Sequence, residues 1–258
     1  MSSIVFEKID NLGVIKLNRP DKLNSFNREM AFAMQSSLDK CEQDPEIRAV
    51  LIVGEGRAFC AGQDLEEAIS DKGPGLRTIV EEHYNPIIVR IREMEMPVVA
   101  AVNGVAAGAG ANLALACDIV VTSEVASVIQ AFSAIGLVPD SGGTYTLPRL
   151  VGWQKASALM MLGDKVKAHE AEKLGMVYKV FGKDDFEEES MALATRLSTM
   201  ATQGLALTKK ALNASLTNTL EEQLNEELEL QTLAGQTHDY QEGVNSFLEK
   251  RRPNFKGE

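Results

Sequence analysis

The sequence predicts an α/β fold of stacked ββα units that ends in an all-α region. Three observations point there. Continuous apolar runs of strand length occur at 49–53 and 98–102, each running into a glycine turn and a helix start, a plan that repeats at about 50 residues. The chain opens with two short strand-like segments, and its last quarter is rich in Leu, Glu, Gln and Ala with few β-branched residues. Taken in order, residues 3–8 and 13–17 read as strands around Asp10-Asn11-Leu12-Gly13, a hairpin-type turn in which Asn and Gly supply the unusual backbone angles. Residues 17–26 are a polar loop with Pro20, and 27–43 carry Met30, Phe32, Met34 and Leu38 at helical spacing.

Ala49-Val-Leu-Ile-Val53 is unbroken by polar residues, as expected for a strand buried on both faces, and 64–69 start a helix. Val98-Val-Ala-Ala-Val102 repeats the plan through a glycine loop into the helical Asn112-Leu-Ala-Leu-Ala116, followed by a strand at 118–122. Residues 153–175 and 184–203 are predicted helical, and 205–248 form a long acidic helical stretch. Its Leu212, Leu216, Leu220, Leu224, Leu228 and Leu233 recur at helical spacing and need a partner surface, either the chain's own core or another subunit.

Composition narrows the function. The 258 residues are 45% hydrophobic and 24% charged, ordinary values for one large globular core. With 26 basic against 37 acidic residues the formal charge is −11, which argues against nucleic acid or an anionic membrane as partner and requires local charge for any anionic ligand. Three cysteines, Cys41, Cys60 and Cys117, without a CxxC pair fit neither a disulfide framework nor a zinc site, so no metal and a reducing, cytoplasmic setting are expected. Charged residues come early in the N-terminal segment, before an apolar run of signal-peptide length, so no secretory leader is expected. Residues 96–117 carry no charged side chain, but Pro97, Asn103 and Asn112 favour a strand, a loop and a buried helix over a membrane span.

Two loops present main-chain N–H groups at helix starts, Phe59-Cys-Ala-Gly-Gln-Asp-Leu65 and Ala106-Ala-Gly-Ala-Gly-Ala-Asn112; face to face they can hold a developing oxyanion. The second fails as a dinucleotide fingerprint, because Leu113 stands where a third glycine belongs. No P-loop or GxSxG is present, and His83, His169 and His238 sit in polar or helical contexts that suggest surface positions. Asp140, between an apolar lead-in and Ser141-Gly-Gly-Thr144, reads either as a helix N-cap or as a pocket carboxylate with raised proton affinity.

These segments, together with residues 97–119, 136–152 and Glu242-Gly-Val-Asn-Ser-Phe-Leu-Glu-Lys-Arg-Arg-Pro-Asn-Phe255, resemble the enoyl-CoA hydratase/isomerase, or crotonase, superfamily almost end to end. The resemblance implies a crotonase-like ββα spiral over 1–195 and a helical region at 196–258 that builds a trimer or a dimer of trimers. The substrate it implies is an acyl-CoA thioester, with no cofactor beyond the coenzyme A of the substrate. It places the thioester carbonyl on the N–H groups of Gln63 and Ala109. Coenzyme A would lie along Lys22, Leu23, Ala61, Gln63, Asp64 and Leu65, with Phe247 and Lys250 reaching its nucleotide. Hydratase-like members carry glutamates where this chain has Asn112 and Phe132; isomerase-type members carry an aspartate where it has Asp140. The resemblance is strongest to the 1,2-epoxyphenylacetyl-CoA isomerases of phenylacetate catabolism. One carboxylate beside an enolate suits moving a double bond, so isomerisation of an epoxidised or Δ3-unsaturated acyl-CoA is the expected reaction. Hydration in fatty-acid degradation, dehalogenation with Asp140 as nucleophile, and a non-catalytic RNA-binding homologue are the alternatives. The acyl pocket is expected to draw its walls from residues 70–84.

Overall fold

A computed structural model describes residues 2–258. The chain opens with β1 (Ile4–Ile9), β2 (Leu12–Leu17) and α1 (Arg28–Gln43), then runs through β3 (Ala49–Gly54), β4 (Ala58–Cys60), α2 (Leu65–Ala68), α3 (Gly75–Thr78) and α4 (Asn85–Glu93). A second unit follows as β5 (Val98–Val102), β6 (Val105–Ala107) and α5 (Ala109–Ala116), and a third begins with β7 (Ile119–Ser123) and β8 (Ser127–Ile129). The rest is α6 (Gly143–Val151), α7 (Trp153–Leu162), β9 (Lys165–Lys167), α8 (Ala168–Lys173), β10 (Lys179–Phe181), α9 (Phe186–Ser198), α10 (Thr202–Ser215), α11 (Leu220–Ala234) and α12 (His238–Glu249).

Each unit sends its two strands to different sheets. The first strand joins a six-stranded sheet of order β1-β2-β3-β5-β7-β10, and the second joins a four-stranded sheet of order β4-β6-β8-β9. This is the predicted α/β architecture of stacked ββα units. Side chains of β3 alternate between two cores: Val50 and Ile52 join the main core, while Ala49 and Leu51 pack on the far face with Phe186 and Ala194 of α9. An uninterrupted apolar strand is what burial on both faces demands.

Several local expectations are corrected. Gly13 lies inside β2, where a Cβ would stand 2.7 Å from the Cys41 sulfur; the turn is Asp10-Asn11, with Asp10 at φ 50°. The helix expected at 153–175 is interrupted by β9, which pairs antiparallel with β8. Residues 205–248 are not one helix. Thr219, in a capping box with Glu222, and Thr237 start α11 and α12, because a threonine hydroxyl that accepts from the first turn favours a helix start over a helix interior. His83 is buried, 1% exposed, against its expected surface position.

Lys209 of α10 anchors the helical region: its ammonium, 7% exposed, donates to the carbonyl oxygens of Ile91 (2.7 Å) and Met96 (3.2 Å) and lies 2.8 Å from the Asp118 carboxylate. The leucines Leu212, Leu220, Leu224, Leu228 and Leu233 are exposed, so the chain's own core does not cover them. No helix among the described residues is long and apolar enough to cross a membrane; residues 96–117 instead contribute β5, β6 and α5.

Candidate functional site

β4, β6 and β8 are neighbours running in parallel, so the loops that follow them emerge side by side. After β4, the Ala61 N–H donates to the Leu23 carbonyl at 3.0 Å, which lays this loop against the Lys22-Leu23 turn. Phe26 clamps the next residues: its N–H donates to the Gly62 carbonyl (2.7 Å) and its carbonyl accepts from the Asp64 N–H (2.8 Å). The Gln63 N–H between them is in neither bond. Asp64 caps α2 through the Glu66 N–H and is paired with Arg19 at 2.8 Å, an ion pair that holds its carboxyl below the ordinary range against the opposing effect of burial.

After β6, the Gly108 N–H donates to the Ile129 carbonyl at 2.9 Å, and Ala109 is the first residue of α5, so its N–H has no acceptor within the helix. The two loops touch at Gly62. With φ at +94°, a Cβ there would stand 3.0 Å from the Ala107 carbonyl oxygen and 3.4 Å from the Ala109 nitrogen, so only glycine lets the loops approach this closely. Gln63 and Ala109 thus lie on two loops in contact at Gly62, with Ala109 at the positive end of α5. Phe132, after β8, is buried, with its ring 3.9 Å from where a Cβ of Gly108 would be.

Asp140 does not cap α6. The N-cap is Gly142, and it is the Asp140 carbonyl, not its carboxylate, that accepts from the Gly143 N–H at 2.9 Å. The carboxylate takes one hydrogen bond, from the Ser141 hydroxyl at 2.9 Å, and burial raises its pKa above the ordinary aspartate value. A chain of amides fixes its backbone. Gln130 donates from Nε2 to Asn112 Oδ1 (2.8 Å), and Asn112 donates from Nδ2 to the Asp140 carbonyl (2.8 Å). Gly143 leaves room for this: a Cβ there would lie 2.2 Å from Asn112 Nδ2. Asn112 and Gln130 are 1% and 2% exposed, so the relay is shielded from water.

The structure therefore brings together Leu23, Ala61, Gln63, Asp64, Ala109 and Phe132. Lys22 is at the same turn but pairs with Glu66 at 2.8 Å, and Leu65 is exposed on α2. Phe247 and Lys250 are elsewhere, at the end of α12; Phe247 lines an apolar groove with Ala201, Tyr240, Val244 and Phe255. Gln130, which donates to Asn112, is an addition that no pattern in the sequence marks. Among the described residues no three His, Cys, Asp or Glu side chains gather as metal ligands.

The two-sheet ββα frame thus carries two helix-start loops that meet at Gly62 and, after the third strand of the small sheet, a half-buried carboxylate at Asp140. The chain belongs to the enoyl-CoA hydratase/isomerase family, whose model matches residues 7–258. It is 46% identical over 246 residues to the 1,2-epoxyphenylacetyl-CoA isomerase of Escherichia coli K12, covering 94% of both chains. It is 34% identical over 257 residues to 2,3-dehydroadipyl-CoA hydratase of the same organism, covering 100% of both. Among solved structures, an enoyl-CoA hydratase from Bacillus anthracis superposes with a TM-score of 0.94 at 31% identity, over 99% of this chain and 100% of that one. The crotonase fold is thereby shown.

Proposed function

We propose that this chain is an acyl-CoA isomerase in which Gln63 and Ala109 hold the thioester oxygen and Asp140 moves the proton. The ionised Asp140 carboxylate accepts a proton from carbon. The electron pair left behind delocalises into the thioester, whose oxygen gains charge against the two N–H groups. Asp140 then returns the same proton to a different carbon, the double bond shifts, and no atom is gained or lost.

The observation that carries this reading is the state of Asn112. Adding water needs two acid/base groups, and hydratase-like relatives are expected to place one at this position; here Asn112 is an amide already engaged by Asp140 and Gln130. Phe132 is apolar at the other expected position, and the nearby Glu67 accepts from the Arg28 N–H at the start of α1. A 1,2-epoxyphenylacetyl-CoA or a Δ3-enoyl-CoA fits the single carboxylate, the former also supported by the E. coli relative. The exposed leucines of α10 and α11 support a homotrimer or a dimer of trimers, which would let Phe247 and Lys250 reach coenzyme A from beyond the loops of their own subunit.

The test is incubation with crotonyl-CoA, a 3-enoyl-CoA and the epoxide of phenylacetyl-CoA, followed by mass and absorbance. A rearranged product of unchanged mass, lost in Asp140→Asn while CoA-ester binding persists, is the expected result. Gain of one water from crotonyl-CoA would make the chain a hydratase instead.

A further inference from the structure

Glu67 stands where three segments of the site meet. Its half-buried carboxylate accepts the Arg28 main-chain N–H through both oxygens, at 3.1 and 3.0 Å, and the Gln63 side-chain amide nitrogen at 3.3 Å. Arg28 is the first residue of α1, so its N–H has no acceptor within the helix, and a carboxylate there also meets the positive helix end. The Arg28 guanidinium is turned to Glu82 instead, at 3.4 Å. Two residues earlier, Phe26 grips Gly62 and Asp64 on either side of Gln63. Glu67 therefore closes a ring that runs from Phe26 to Arg28, from the Arg28 N–H to the carboxylate, and from the carboxylate back to Gln63. On its other side, the Glu67 carbonyl accepts from the N–H groups of Ile69 and of Ser70 (3.3 Å), and a Cβ on Gly73 would stand 2.3 Å from it, so the turn that leads into residues 70–84 packs on the same residue. Capping alone does not account for this, because α1 already has Asn27, whose side chain accepts from the Met30 N–H at 3.0 Å.

We infer that Glu67 is a positioning residue that fixes Gln63 against the start of α1 and so sets the direction of the N–H assigned above to the thioester oxygen. The inference rests on the carbonyl-holding part of that proposal and applies to isomerisation and hydration alike, since both put charge on the same oxygen. Phe26 holds the chain on both sides of Gln63; Glu67 holds Gln63 itself. A donor aimed at developing charge acts through its distance and direction, so a small loss of alignment shows in turnover before it shows in binding.

The experiment reads the carbonyl directly. Phenylacetyl-CoA labelled with carbon-13 at the thioester carbonyl is bound to wild type, Glu67→Ala, Glu67→Gln and Asn27→Ala, and its C=O stretch is recorded by infrared difference spectroscopy beside steady-state turnover of crotonyl-CoA, a 3-enoyl-CoA and the epoxide of phenylacetyl-CoA. Hydrogen bonds to the oxygen weaken the C=O bond and lower the band, so wild type is expected to show a lowered band. In Glu67→Ala the band should return toward that of the free ester and kcat should fall about tenfold with KM little changed, a part of the roughly hundredfold that deleting an oxyanion donor outright costs. Glu67→Gln keeps an acceptor for the Arg28 N–H and offers its amide to Gln63 Oε1, which is buried without a partner, so it should restore most of both readouts. Asn27→Ala removes the other cap of α1 and should lower Tm without moving the band, which separates positioning from helix stability. A band that stays lowered in Glu67→Ala, no rescue by Glu67→Gln, or an equal shift in Asn27→Ala overturns the inference and leaves the carbonyl-holding reading in place. A wild-type band no lower than that of the free ester overturns both.

Discussion

Asn112→Ala isolates the amide relay behind Asp140. The substitution removes two buried hydrogen bonds of 2.8 Å, from Gln130 and to the Asp140 carbonyl. The Asp140 carbonyl keeps the Gly143 N–H, but the Gln130 amide, whose Oε1 is already without a partner, loses its remaining bond. One net hydrogen bond at about 1 kcal/mol and one newly unpaired buried amide at about 1–3 kcal/mol give a loss of about 2–4 kcal/mol. At about 2–4 °C per kcal/mol for a chain of this size, Tm should fall by about 10 °C in a thermal melt. Catalysis should suffer separately, because the peptide that aims the carboxylate is freed on one side, and a misplacement of about 1 Å can lower turnover by about a hundredfold. Steady-state kinetics should show the loss in kcat with KM little changed. Asn112→Asp sharpens the test: it keeps an acceptor for Gln130, gives up the donor to Asp140 and sets a second negative charge nearby, which should move the acid limb of the pH-rate profile upward. A fall in Tm with unaltered kcat would refute the positioning argument, since the relay would then be structural only.

The pH-rate profile of the wild-type enzyme should lose activity on the acid side at a pH above the ordinary aspartate range, because the base must be ionised and burial raises the Asp140 pKa. The same shift has the opposite sign for stability: the native state binds the proton more tightly than the unfolded chain, so this group's contribution declines as pH rises from the ordinary value through the raised one. Lys209→Met should lower stability by about 3–5 kcal/mol in denaturant titration, since Asp118 would be left without its closest cation and the carbonyls of Ile91 and Met96 without their donor. A loss below about 1 kcal/mol would count against the role of Lys209 as the anchor of α10.

Much of the fold was readable because its signals are local. The runs at 49–53 and 98–102 could be seen as doubly buried strands, and Gly62 and Gly108 stood out because each lies just after a strand and before a helix. What escaped reading depends on contacts distant in sequence. Gly13 looks like a turn residue until Cys41 is packed on it, and β9 exists because β8 offers a free edge, not because Lys165-Val-Lys167 is a strong strand. The candidate site divides the same way. Gln63, Ala109 and Asp140 sit in motifs, whereas the bond from Gln130 to Asn112 joins residues 18 positions apart.

The parallel register of the small sheet gives the site an addressable layout. Gln63, Ala109 and Phe132 each follow the last residue of β4, β6 and β8 by two or three positions, so three successive units contribute one residue apiece at the same edge. Lengthening any one of these loops by a residue would displace a single member of the set and leave its neighbours in place. The frame is thus suited to gradual change, in which the residue at position 132 can be exchanged while the loops after β4 and β6 keep their contact at Gly62.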